Sequence, residues 1–393
     1  MVKPFCIACN PKIIFGLGKI SELPGLAKAY GNDVLLVTGA NSLNHSRHGE
    51  FLLNTFDITG IQYHTVSISR EPSPEMIDAA VIRYRDEKIR LVVAIGGGSV
   101  IDAGKAIAAM LYRTESVKDF LEGIGSIEHP GTKVPFIAIP TTSGTGSEAT
   151  NNAVISEIGI AGFKKSLRHE NFVPDMAIID PELTLHCPPD ITANSGMDCF
   201  TQLVEAYLST KAFSFTDQLA LDGISKLIGA LPRAWKWGQD NEARAGMSYA
   251  ALISGICLTN AGLGAVHGFA SSIGGLFNIP HGIVCGTLMA PANAVTVKKL
   301  RKQDQNHPTL LKYSELGKFF SNENQKNQDY YVDLFISTLF EWTKMMNIPD
   351  LAKYGIKNTD FKKIVELTDN KNNPVKLDKN ELTEILELSF KSL

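Results

Sequence analysis

Cysteine is scarce in this chain, with six in 393 residues at Cys6, Cys9, Cys187, Cys199, Cys257 and Cys285. That is too few for a disulfide framework in a chain of this length, which fits a reducing, cytoplasmic setting. Cys6 and Cys9 form one C-x-x-C, but a zinc ribbon needs a second pair at similar spacing and the sequence has none. The pair reads instead as structural thiols on or near the first strand. Long apolar runs are missing too, so no membrane partner is expected. Met1 to Asn10 has one Lys and no apolar stretch, so no secretory leader is expected. A basic surplus is also absent. With 38 Lys and Arg against 41 Asp and Glu, the net charge is −3, which argues against a nucleic-acid partner held through phosphate contacts. No internal repeat is visible. What remains is ordinary: 44% hydrophobic and 20% charged residues, with 33 Gly and 18 Pro. Those proportions exclude collagen, disorder and a small disulfide scaffold, and the length allows two domains with sizeable cores.

The first half alternates apolar runs with amphipathic stretches. Strands are expected at Asp33–Thr38, ending at Gly39, and at Gln62–Ile68, Arg90–Ile95, Val134–Ile139 and Met176–Ile179. Helical spacing lies between them, at Pro74–Lys88 and Val100–Arg113. Strands alternating with helices argue for a parallel sheet covered on both faces. After about residue 190 the strand signals fade. Ala-, Leu- and Ile-rich helical stretches take over at Asp190–Ser209, Ser214–Leu231 and Glu242–Asn260. Pro188-Pro189 favours an extended connection, so the expected domains are 1–190, α/β, and 191–393, all helical. Asn322–Gln328 and Asp369–Asn373 read as solvated loops, followed by a last short helix from Lys379.

Two loops carry the first chemical signal. The strand Arg90–Ile95 runs into Gly96, Gly97, Gly98 and Ser99, and a helix follows from about Val100. A strand, a glycine loop and a helix N-terminus together make an anion site, because free backbone N–H groups point at the loop. A tight turn with no ligand would look the same, and this is not a G-x-G-x-x-G fingerprint. The next strand leads into PTTSGTGSEAT, where Thr141, Thr142, Ser143, Thr145 and Ser147 set five hydroxyls beside two glycines. Hydroxyls there can donate to phosphate and ribose oxygens, or merely decorate a surface turn.

The second signal is a set of metal-binding residue types. Asp198 and Gln202 are four apart and share one helical face. Further on stand His267 and His281, each followed by Gly. Pro280 is expected to end or bend a helix just before His281, so the two imidazoles could converge from different elements. One carboxylate and two imidazoles suit divalent iron or zinc. Histidines that are structural or on the surface are the alternative, since spacing does not show that these residues meet.

Taken in order, FGLGKISELPGL (Phe15–Leu26), GGGSVIDAGKA, PTTSGTGSEAT, DPEL (Asp180–Leu183), GMDCFTQLVEAY and the segment ending in IPHG resemble the iron-containing (group III) alcohol dehydrogenases. The resemblance covers nearly the whole chain. It implies a dehydroquinate synthase-like fold, an N-terminal nucleotide-binding α/β domain followed by an all-α metal domain. It implies that Gly97, Gly98 and Ser99, together with Gly96, hold a pyrophosphate, and that Asp102, Thr141, Thr142, Thr145 and Lys164 line a dinucleotide site. At Gly39, members that prefer NAD carry an acidic residue. Here the stretch is Thr38-Gly39-Ala40-Asn41-Ser42, and no carboxylate is present to repel a 2′-phosphate. Gly39, Asn41 and Ser42 therefore lean the cofactor towards NADP over NAD.

The resemblance also implies a divalent metal, iron(II) or zinc, held by Asp198, Gln202, His267 and His281. Gln202 departs from the family, which has His there, and an amide is the weaker ligand. Ser271 departs as well, since many members carry a His near the substrate at that place and Ser cannot serve as an acid–base group near neutral pH. The implied reaction is reversible hydride transfer between the nicotinamide and a small alcohol or its aldehyde or ketone, in a homodimer or larger homo-oligomer, with no catalytic residue beyond the metal ligands. A dehydroquinate synthase-like lyase, a metal-free reductase and a nucleotide-binding protein of the same fold are the alternatives.

Overall fold

A strand buried on both faces reads as a continuous apolar run, and four of the strands in the first half are of that kind or close to it. The computed structural model describes residues 4–40 and 47–391. Its strands are β1 (Lys12–Phe15), β2 (Asp33–Gly39), β3 (Gln62–Ile68), β4 (Leu91–Gly96), β5 (Phe136–Pro140), β6 (Asn152–Glu157), β7 (Phe163–Arg168) and β8 (Met176–Ile179). Six of them form one parallel sheet in the order β1-β8-β5-β4-β2-β3. The other two, β6 and β7, make a separate antiparallel hairpin. Helices α1 (Leu23–Lys28), α2 (Arg47–Thr59), α3 (Pro74–Tyr84) and α4 (Gly98–Met110) accompany the sheet.

Side chains alternate across the sheet, so each strand feeds two cores. Leu35, Val37, Val92 and Ala94 pack with Ile77 of α3 and Ile101 of α4. Val34, Leu36, Val93 and Ile95 pack with Leu23 of α1 and Phe56 of α2. Beyond β8, Asp180 receives the N–H groups of Gly18 and Ile20 at 3.1 and 2.9 Å, tying the DPEL segment to the FGLGK segment.

Among the described residues every strand precedes Pro189, and the rest of the chain is helical. The helices are α5 (Pro189–Leu208), α6 (Ser214–Lys236), α7 (Asn241–Ala261), α8 (Ala265–Leu276), α9 (His281–Gln303), α10 (Pro308–Lys318), α11 (Gln328–Met345), α12 (Phe361–Leu367) and α13 (Lys379–Lys391). Phe200, Leu203, Ile224, Leu227 and Met247 of α5 to α7 form a core that also takes in Ala177 and Ile179 of β8. The two halves are thus joined by apolar packing. A further core joins α8 and α9 to α12 and α13 through Phe269, Val284, Ile364 and Ile385. No single helix among the described residues is long and apolar enough to cross a membrane.

Several expectations shift. The helix expected from Val100 begins at Gly98, and the one expected to reach Lys88 ends at Tyr84. Pro280 neither ends nor bends a helix: α8 stops at Leu276, and Pro280 is the cap from which α9 starts. Proline suits that place because a helix start needs no donor from it. Cys6 and Cys9 are exposed and precede β1, so they are not packing thiols. Asp369–Asn373 is more than a solvated loop, since the Asn372 N–H donates to Leu263 O at 2.9 Å and draws the segment onto the start of α8.

Candidate dinucleotide and metal site

In the parallel sheet the strand order reverses between β2 and β4, which pair with Thr38 opposite Ile95. Loops leaving the carboxyl ends of two such strands diverge and open a crevice. Gly39 ends β2 on one side of that crevice and Gly96 ends β4 on the other. Asn41 and Ser42 lie outside the described residues. Gly97 caps α4 with no side chain over the helix start, so the first N–H groups, from Gly98 and Ser99, face the crevice uncapped.

The loop after β5 seats on this turn. The Thr141 N–H donates to Gly96 O at 3.0 Å. A Cβ at Gly98 would stand 2.6 Å from Thr145 Cγ2, so only glycine permits that approach. Thr142 Oγ1 lies beside Gly97. Asp102, one turn into α4, accepts from the Ser147 hydroxyl and, at 3.1 Å, from the Val154 N–H. It clamps the helix to the β5 loop and the hairpin, and burial raises its pKa. Lys164, on β7, donates to Glu71 Oε1 at 2.5 Å. Burial would raise Glu71, but Lys164 beside it holds the carboxyl below its usual range.

The metal-binding residue types come from three helices. On α5, Asp198, Gln202 and Glu205 share one face, and all three are buried. His267 lies in the first turn of α8 and His281 opens α9, with ring centroids 5.4 Å apart. A Cβ at Gly282 would come within 2.5 Å of Asn194 O, so the glycine after His281 lets α9 press against α5. Asp198 Oδ1 sits 3.3 Å from His267 Nε2 and 3.6 Å from His281 Nε2. It is buried with no hydrogen-bond partner among the described residues. His267 Nδ1 lies 2.6 Å from Glu205 Oε2, and Glu205 Oε1 accepts from the Val266 N–H at 2.7 Å. The carboxylate fixes the ring and turns Nε2 towards Asp198, an arrangement typical of histidines that bind metal. Gln202 Oε1 accepts from Ser254 Oγ at 3.1 Å.

Charge in this cluster is not settled by the chain alone. Burial favours the neutral form of His281 and pulls its pKa to about 4, against the pull of Asp198. Burial would raise Asp198, yet the two imidazoles hold it at about 2. An orphaned carboxylate oxygen facing two imidazole nitrogens fits a divalent cation, which would satisfy all three.

One cavity joins both sets of residues. It is lined by Gly98, Ser99, Asp102, Thr145 and Lys164 from the first half and by Gln202, His267, Ser271 and His281 from the second. Gly96, Gly97, Thr141 and Thr142 are not part of that lining. Ser271 donates to His267 O at 2.9 Å. Sequence reasoning missed Glu71 and Lys371, which also line the cavity. Lys371 adopts a left-handed backbone, with φ 47°. It also missed Cys285 and Glu205. Both lie at helical spacing from a residue that had been singled out, Cys285 one turn after His281 and Glu205 one turn after Gln202, and that spacing was the available signal.

Comparison with known proteins gives a consistent picture. Residues 10–181 match the family described as iron-containing alcohol dehydrogenase, and residues 192–390 match the C-terminal part of the Fe-containing alcohol dehydrogenase family. The chain is 32% identical to an NADPH-dependent butanol dehydrogenase of Clostridium saccharobutylicum over 96% of each chain. It is 32% identical to an NAD-dependent methanol dehydrogenase of Bacillus methanolicus, over 72% of this chain and 73% of that one. Its fold superposes on a 1,3-propanediol oxidoreductase with a TM-score of 0.88 and 27% identity, covering 99% of this chain and 100% of the other.

Proposed function

The chain belongs to the iron-containing alcohol dehydrogenase family, and on that premise we propose how its own residues serve the reaction, the NAD(P)-dependent interconversion of an alcohol and its aldehyde. The observation that carries the reading is the single cavity, lined by the glycine loop of α4 at one side and by two histidines at the other. Residues 1–190 act as the dinucleotide domain and 191–393 as the metal and substrate domain. The N–H groups at the start of α4 receive the pyrophosphate, with Gly97 keeping a side chain out of its way and Gly96 leaving room for Val100 in the turn. The hydroxyls of Thr141, Thr142 and Thr145 donate to phosphate and ribose oxygens, and Lys164 adds positive charge. Asp102 acts mainly by holding that loop in place. The end of β2 at Gly39 offers no carboxylate, so NADP is preferred over NAD.

Asp198, His267 and His281 hold a divalent ion, iron(II) or zinc, and Glu205 keeps His267 in the ligating tautomer. Gln202 stands at the family's fourth ligand position with its oxygen turned to Ser254. A divalent ion bound there supplies Lewis acidity towards the substrate oxygen, and the dinucleotide supplies or accepts the hydride. Closing the cavity around both reactants aligns them and keeps bulk water out. Ser271 takes no proton near neutral pH, so the hydroxyl proton leaves through water or a ribose hydroxyl.

The test is oxidation of NADPH and NADH with small aldehydes, before chelation, after it, and after iron(II) or zinc is restored. Activity lost and regained with metal supports the reading. Metal-loaded protein that oxidises neither cofactor with any aldehyde would overturn it. Gly39→Asp should shift the cofactor ratio towards NADH by about tenfold or more, since a carboxylate repels a 2′-phosphate and accepts from a 2′-hydroxyl. A wild-type protein that already prefers NADH tenfold would contradict the reading of β2.

A further inference from the structure

We propose that Cys285, as a thiolate, is the fourth protein ligand of the divalent ion in place of Gln202, and that the site is thereby matched to zinc rather than iron(II). The inference rests on the reading above that an ion binds between Asp198, His267 and His281.

Cys285 lies one turn after His281 on α9, so both side chains leave the helix on the same side. Its Sγ is 3.7 Å from His267 Nε2 and 3.6 Å from His281 Nε2. Together with Asp198 Oδ1, the four potential donor atoms all lie within 4.8 Å of one another. A tetrahedral zinc ion with bonds of about 2.0 Å to nitrogen and oxygen and about 2.3 Å to sulfur sets edges of about 3.3 Å for nitrogen to oxygen and about 3.5 Å for nitrogen to sulfur. The observed nitrogen–oxygen separations are 3.3 and 3.6 Å, and the nitrogen–sulfur separations are 3.6 and 3.7 Å. Four of the six edges thus match such a site to within a few tenths of an ångström, and the other two are no longer than 4.8 Å.

Buried cysteines are usually packing residues, and this chain supplies the contrast. Cys257 is also buried, and among the described residues its Sγ hydrogen-bonds only with a backbone carbonyl, Thr216 O at 3.8 Å. Cys285 faces two imidazole nitrogens and lies by a carboxylate oxygen that has no hydrogen-bond partner among the described residues. Gln202 can ligate only through its amide oxygen, and that atom accepts from Ser254. Thiolate is the softer donor and favours zinc over iron(II). As the ion enters, the thiol proton passes to solvent, and the Asp198 and Cys285 charges balance the two positive charges of the ion. Four protein donors still leave room for the substrate oxygen, because zinc sites expand to five partners.

The experiment loads the full-length apoprotein, anaerobically and with thiols reduced, with cobalt(II) as the probe. Wild type and Gln202→Ala should both show a thiolate-to-cobalt charge-transfer band in the near ultraviolet beside the weaker visible bands. Cys285→Ser should lose the charge-transfer band and bind cobalt at least tenfold more weakly. In competition, its preference for zinc over iron(II) should fall at least tenfold below that of the wild type. One cobalt per wild-type chain with visible bands and no charge-transfer band would overturn the proposal while the metal reading stands. Wild-type protein that binds no cobalt, zinc or iron(II) would overturn both. The exposed pair Cys6 and Cys9 could give the same band, so a Cys6→Ser, Cys9→Ser protein is measured alongside. It should keep the band, and its loss there would overturn the proposal even if the Cys285 variant folds poorly.

Discussion

Two buried charges, one in each half of the molecule, are treated in opposite ways. Lys105 is completely buried inside α4. Its ammonium donates to Ser147 O and Thr150 O at 2.8 Å, to Thr150 Oγ1 at 2.9 Å and to Asn152 O at 2.8 Å. Burial lowers it to about 8, and the Asp102 and Glu148 carboxylates oppose that shift. Asp198, buried in α5, leaves Oδ1 without any hydrogen bond among the described residues, although two imidazoles and a thiol surround it. A buried charge that its own chain satisfies is a structural pin, here fastening α4 to the loop after β5. One left unsatisfied costs free energy unless something outside the chain supplies the partner. The contrast separates scaffold from site without reference to any relative, although the glycine-rich motif that ends in Lys105 would invite a phosphate role for that lysine.

The comparison is broken most directly at the pin. Lys105→Met removes the donor from three backbone carbonyls at once and leaves two carboxylates without their cation. Breaking a buried charged network from one side costs about 3–5 kcal/mol, which urea unfolding of the metal-free protein should register. A loss below about 1 kcal/mol would mean that the pin carries little. Asp198→Asn should behave the other way round. The metal-free variant should lose no more than about 2 kcal/mol, since it gives up a buried charge that the chain does not fully satisfy. Wild-type protein should gain about 4 kcal/mol from metal at a thousand times its dissociation constant, and the variant should gain none. If the metal-free variant unfolds as readily as Lys105→Met, Asp198 is scaffold as well.

The same contrast explains what the sequence made legible. The phosphate loop is contiguous: an apolar run, glycines and a helix start follow one another, and the local pattern carries the chemistry. The metal cluster is assembled from α5, α8 and α9, and nothing local states that those helices meet. Asp198 and Gln202 could be read together only because they share one helix, and the histidines joined them through the family resemblance. Cys285 sits inside the apolar run GIVCG and carries no local signal, although it stands one turn from His281 just as Gln202 stands one turn from Asp198. The hairpin was hidden for a different reason. β7 reads FKKSLR, which has no continuous apolar run to mark a strand, so Lys164 entered only through the resemblance and its partner Glu71 was not found. Asp369–Asn373 misled through composition, since the backbone and side-chain N–H groups of Asn372 both donate to Leu263 O, at 2.9 and 3.3 Å, and hold this polar segment against the start of α8. Backbone approach governs there: a Cβ at Gly268 would stand 1.8 Å from Asp369 O.

Two neighbouring glycines sharpen the line between site and scaffold further. Gly97 has an extended backbone, φ −72° and ψ −179°, that any residue adopts, and a Cβ there would meet nothing closer than Thr142 Oγ1 at 3.4 Å. Gly97→Val should therefore fold with a melting temperature within a few degrees of wild type. Its side chain would enter the space assigned to the pyrophosphate, so dinucleotide affinity should fall about a hundredfold, or about 2.7 kcal/mol by titration. Unchanged affinity would move the phosphate site elsewhere. Gly98→Val should lose stability as well as affinity, because its Cβ collides with Thr145.

A third buried ionisable group gives the smallest effect and tests the principle by pH. His129 packs edge-on against Phe120 and Phe172, with ring centroids 5.1 and 4.8 Å away. Its Nδ1 accepts from the Gly131 N–H at 3.0 Å, so that nitrogen carries no proton. Nε2 must then be the protonated one, and it donates to Ala109 O at 3.2 Å. The ring is fully satisfied, but only when neutral, since a second proton would set two N–H groups against each other at Gly131. Burial lowers its pKa from 6.5 to about 4, against the opposing pull of Ala109 O. A folded-state pKa below the unfolded value means that the stability this group contributes is present above pH 6.5 and is lost as pH falls through about 4. Between pH 7.5 and 4.5 the wild-type melting temperature should therefore drop further than that of His129→Asn. The variant keeps an acceptor for Gly131 but has nothing to titrate. At pH 7.5 it should be the less stable of the two, because the aromatic contacts are gone, and the gap should narrow by a few degrees towards pH 4.5. Parallel curves would show that His129 is already protonated or that its neutral form matters little, and the rule that satisfaction distinguishes scaffold from site would then fail at its mildest case.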